Sequence, residues 1–163
     1  MAQQVLQIIL PLVATSGFDM YKQNDWHKGF WNFIDENKNK PFEWGTWDCC
    51  KFTDALIQIM TGESLIPKEL HWTDKKSAFV EIKRYGGDLL GAFSKSCQEK
   101  NIQEINKNFI RCGDLCVYKG LEESYLVGFS DGINILGVDE KGITTEPHDK
   151  IVKAWRIERD TNG

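Results

Sequence analysis

Cysteine is the residue type in this chain best suited to nucleophilic chemistry. It occurs at positions 49, 50, 97, 112 and 116 of a 163-residue sequence. The odd count and the lack of a C-x-x-C pair suggest neither a disulfide framework nor a zinc ribbon, so reduced thiols and no metal or cofactor are expected. Cys49 is the candidate nucleophile. It follows Asp48 at the start of an apolar-periodic run, and the first turn of a helix carries partial positive charge that stabilises a thiolate. A small buried hydrophobe at a helix start is the plainer reading of the same residue. Asp48 is either the N-cap of that helix or an orienter of a base. Cys50, about 100° further round the helix, is expected to pack against a sheet. Cys97, Cys112 and Cys116 are expected in the core, the last two on one face of a strand.

A nucleophilic thiol needs a proton acceptor, and the chain has three histidines. His148, in the turn Glu146-Pro147-His148-Asp149, is the candidate base, placed to approach from a sheet edge. An exposed turn residue is the plainer reading. His27 lies in a helix ahead of Cys49 and His71 in a loop after Pro67, where solvated histidines are ordinary. Trp44 and Trp47 either line a groove or cover the core.

The elements that must position these residues follow from periodicity. Trp26, Phe30, Phe33 and Ile34 recur at helical spacing after Asp25, and Pro41 bars continuation. Phe52, Ala55, Leu56, Ile59 and Met60 form one stripe after Asp48, stopped by Gly62. Further helices are predicted from Asp74 to Tyr85 and from Asp88 to about Lys100, separated by Gly86-Gly87. Beyond Cys112 the pattern shifts to short runs rich in Val, Ile and Tyr. Strands are predicted at about 114–118, 124–130, 133–138, 142–146 and 150–157, joined as an antiparallel meander. Helices followed by a sheet make an α+β fold. Residues 1–24 read as an N-terminal arm or edge segment and 25–163 as a single domain.

Composition agrees with one ordinary domain: 41% of residues are hydrophobic, 27% are charged, and there are six Trp and nine Phe. A net charge of −4 disfavours binding to nucleic-acid phosphates. The apolar run from Val5 to Val13 is far shorter than the roughly 20 residues a membrane span needs. With no basic residue ahead of it, it does not read as a signal peptide. Residues 1–18, with Ile8, Ile9 and Leu12, are expected either to cover a neighbouring subunit or to pack within the domain.

The segment Trp44-Gly45-Thr46-Trp47-Asp48-Cys49, with Phe52 three residues on, resembles the nucleophile segment of NlpC-like cell-wall peptidases, which have a papain-type fold. Gly113-Asp114-Leu115-Cys116-Val117 resembles the Gly-Asp-hydrophobic strand opening of that family, and Ala154-Trp155-Arg156-Ile157 its closing strand. The Pro41-Phe42 start, Thr61-Gly62 and Gly86-Gly87 are most similar to divergent members of phage and prophage tail regions. The resemblance spans about residues 25–157 and implies a papain-like, NlpC-type core with Cys49 as nucleophile. It also implies a histidine at the start of the strand after the Gly-Asp strand, within a His-Val-Gly pattern. Here that run is Tyr125-Leu126-Val127-Gly128-Phe129, so Leu126 takes the position of the base.

Two functions follow as expectations from that resemblance. The first is a phage virion structural protein of the tail or neck, made in bacterial cytoplasm, with a degraded catalytic site. Its partners would be other tail or neck proteins, or copies of itself through residues 1–18. The alternative is an active cysteine hydrolase cutting amides of peptidoglycan stem peptides, with Cys49 as nucleophile and His148 as base.

Overall fold

The computed structural model describes residues 19–160. The arm expected over residues 1–18, and any interface made by Ile8, Ile9 and Leu12, lie outside the described residues. Among the described residues four helices come first: α1 (Trp26–Asn37), α2 (Cys49–Thr61), α3 (Lys75–Gly86) and α4 (Leu89–Glu99). Six strands follow: β1 (Gln103–Ile105), β2 (Leu115–Lys119), β3 (Tyr125–Ser130), β4 (Asn134–Asp139), β5 (Gly142–Pro147) and β6 (Ile151–Arg156). Every pairing is antiparallel, in the order β1-β6-β2-β3-β4-β5. The fold is therefore α+β.

Helix ends follow local chemistry. Asp48, Asp74 and Asp88 each accept a backbone N–H of the first turn they precede. Asp25 holds the equivalent place before α1 without making that bond. At the α3–α4 turn a Cβ on Gly86 would lie 2.2 Å from the Ala92 nitrogen, so only glycine lets the two helices approach this closely. Asp54 of α2 then ties down the following loop, accepting from Leu65 N–H at 2.6 Å and Ser64 Oγ at 2.6 Å.

The sheet is not the simple meander expected. Strands β2 to β5 do run as one, but β6 returns to pair with β2, and the short β1 covers its other side. Ala154 and Trp155 of β6 are consecutive and face opposite sides, and both are buried, so the strand is covered on both faces. The edge falls to β5, whose Pro147 donates no ladder bond. Leu115, Val117, Val127 and Phe129 pack against Phe52 and Leu56 of α2 in the main core. Cys116, Tyr118, Ile135 and Ala154 form a smaller core on the opposite face. Cys112 is not on a strand face with Cys116: it sits in the turn before β2, half-buried.

Candidate functional site

Cys49 is the first residue of α2, and Asp48 fixes it there. The Asp48 carboxylate accepts from Gly45 N–H at 2.9 Å, Lys51 N–H at 2.9 Å and Trp72 Nε1–H at 2.7 Å. One buried side chain thus caps the helix, closes the preceding loop and draws in a tryptophan from 24 residues away. Gly45 allows the loop to close: its φ is +85° and a Cβ would meet Thr73 at 2.9 Å. Asp48 is the N-cap, and with these three donors on its oxygens it is not aimed at a base.

The Cys49 thiol is held below its ordinary value of 9.0, chiefly by a hydrogen bond from the Cys50 thiol. Burial opposes this effect and a hydrogen bond from the Val127 backbone adds to it. The same thiol–thiol bond, together with burial, pushes Cys50 well up. The two adjacent cysteines therefore act as an acceptor–donor pair, with negative charge favoured on Cys49. Cys50 is half-buried against the main core, which the sheet residues share, and also lines a cavity between α2, α3 and α4.

Cys49 opens on a groove of about 630 Å³. The N-terminus of α2 and Trp72 form its base, Lys75, Phe79 and Lys83 of α3 one wall, and residues 121–126 the other. Trp44 lines it, its ring 6.2 Å from that of Phe79, whereas Trp47 is buried in the core. Glu122 and Glu123, on the second wall, have left-handed backbones with φ of 56° and 63°. Sequence reasoning missed Trp72, α3 and this loop as site residues. Only the position of Trp72, eight residues after Ser64 in a stretch without periodicity, marked it as something other than a helix-face residue.

None of the three histidines lines the groove. His27 is exposed and stacks on Trp26 at 3.6 Å. His71 is exposed on a separate surface beside Asp74 and Ser77. The structure places His148 away from the thiol, with its Nε2 2.9 Å from Ser130 Oγ. Leu126 shares the groove with Cys49, and Ser130 lies four residues further along β3, about 13 Å at the usual rise. His148 is thus at the far end of the strand and is not placed to take the Cys49 proton. Leu126, the residue that the resemblance matches to the base, lines the same groove as Cys49.

The other two sequence motifs meet elsewhere. Arg156 donates through Nε to Asp114 Oδ1 at 3.0 Å and through Nη2 to Oδ2 at 2.7 Å, and Asp114 also accepts Arg111 N–H at 2.7 Å. Asp114 is fully buried. The Gly-Asp opening of β2 and the Trp-Arg end of β6 are two halves of one ion pair, which gives them a structural role.

Among the described residues no group of three or more His, Cys, Asp or Glu could hold a metal ion, and no helix is long and apolar enough to cross a membrane. No curated protein matches the chain. A family described as a domain of unknown function, DUF6950, matches residues 21–157, which take in the four helices and six strands of the described residues, and the chain belongs to that family.

Proposed function

We propose that this protein is a non-hydrolytic structural component of a phage tail or neck, built on a papain-like, NlpC-type core whose groove binds rather than cuts. One observation carries the non-hydrolytic part: the groove lined by the buried Cys49 is also lined by Leu126, the residue that the resemblance matches to the family's base, and has no histidine on its walls. Amide cleavage requires a group that protonates the departing amine, and leucine does neither half of that transfer. The assignment to a tail or neck rests on the resemblance of the three motifs.

The second reading, a thiol hydrolase acting on peptidoglycan stem peptides, is favoured by the low Cys49 thiol at the end of a groove. Two measurements separate the readings. Purified stem peptides incubated with the protein are expected to remain intact by mass spectrometry; cleavage that vanishes in Cys49→Ala would reject the structural reading. In the second, alkylation of Cys49 by iodoacetamide is followed against pH. Its midpoint is expected below 9.0, because a depressed thiol pKa populates the thiolate at lower pH. It is expected to be unmoved by His148→Ala. A midpoint that shifts in His148→Ala would return that histidine to the site.

A further inference from the structure

Behind the groove lies a second space. A cavity of about 60 Å³, almost wholly apolar, sits between α2, α3, α4 and the 65–72 segment. Cys50, Trp72, Ile82 and Leu89 line both, so the groove and this chamber meet at Cys50, next to the nucleophile. The chamber holds one anomaly. Thr53, 1% exposed and one helical turn beyond Cys49, lines it with a hydroxyl that has no hydrogen-bond partner among the described residues. A buried orphan hydroxyl is unfavourable, and it points to a polar atom brought by a ligand.

We propose that Cys49 exchanges with a short-chain acyl thioester, taking the acyl group onto its own sulfur with the chain lodged in the chamber behind Cys50. The inference rests on the reading above that the groove carries no histidine to protonate a leaving amine. An amine must be protonated to leave, but a thiolate departs unaided. In the exchange the Cys49 thiolate attacks the acyl carbon, a new carbon–sulfur bond forms, the old one breaks, and the outgoing thiolate carries away the electron pair. No oxidant, reductant or base is consumed. The partial positive charge at the start of α2 stabilises the oxygen of the tetrahedral intermediate. The Thr53 hydroxyl is a donor for the same carbonyl. The depressed Cys49 thiol supplies the nucleophile near neutral pH. At about 12 Å³ for each water-sized group, the chamber admits roughly four to five methylenes, and each one buried is worth about fourfold in binding.

The test uses the full chain with hexanoyl-coenzyme A and acetyl-coenzyme A, read by intact mass. The expected result is one hexanoyl group per chain, released by neutral hydroxylamine, abolished in Cys49→Ala and retained in Cys112→Ala, whose cysteine lines neither the groove nor the chamber. Acetyl transfer is expected to be slower by at least about tenfold. Leu70→Ala, which widens the chamber, shifts the preference toward longer chains, and Ala92→Leu, which fills it, toward acetyl. Absence of labelling, labelling on another cysteine, or equal rates for both donors unaffected by Leu70→Ala would overturn the proposal. Stem-peptide cleavage in a parallel reaction would instead overturn the reading on which it rests.

Discussion

At the scale of single residues, the site is defined by which polar atoms have partners. Asp48 has three donors, while Thr53 Oγ1, in the same helix, has none among the described residues. Replacing an unpartnered buried hydroxyl with a methyl of the same shape removes a desolvation penalty. Thr53→Val is therefore expected to stabilise the free protein by about 1 kcal/mol in urea denaturation; a loss of stability would mean that the hydroxyl is satisfied. Lys22 is the opposite case, a charge buried at 4% exposure. Burial is the main cause that holds its pKa below 10.5, with Asp114 pulling the other way. A base whose folded pKa is depressed binds its proton less well when folded. Stability from this group therefore rises with pH from the folded pKa up to 10.5. Thermal melts of the protein and of Lys22→Met should accordingly shift in favour of lysine as the pH rises from neutrality. A pH-independent difference would assign Lys22 only its contact with the Trp26 ring, 4.2 Å from its Nζ.

At the scale of elements, α2 is the organising unit, and Asp48 is what starts it. Asp48→Ala removes the cap, the loop closure and the Trp72 anchor together, and is expected to destabilise by about 2–4 kcal/mol. Asp48→Asn, which keeps an acceptor, should lose less. Since Trp72 forms the base of the groove, its release should also change tryptophan fluorescence in the native baseline. Stability lost with an unchanged native spectrum would show that Trp72 is held by packing alone. The helix, its cap and its glycine stop were legible because each depends on neighbours within four residues. The place of β6 was not, since its alternation fits an edge and a centre equally until the partners on both faces are known.

At the scale of the whole molecule, the Asp114–Arg156 pair joins the start of β2 to the end of β6 across 42 residues. Removing one member leaves a buried charge without its partner, at an expected cost of about 3–5 kcal/mol for Arg156→Met. The double variant Asp114→Leu/Arg156→Met should recover part of that loss. Additive losses in a double-mutant cycle would show that the two side chains are not coupled.

Sequence alone determined the α+β order of elements, the Asp48 cap of α2 and the position of Cys49 at a helix start, because propensity, periodicity and capping act over one or two turns of chain. It also showed Leu126 where a base was expected. Tertiary structure alone decided that Trp72 closes the groove from 24 residues away and that His148 is held at the far end of β3 by Ser130. Those contacts join segments separated by a turn, a loop or a crossover. Their geometry depends on how the helices pack on the sheet, which no local pattern specifies.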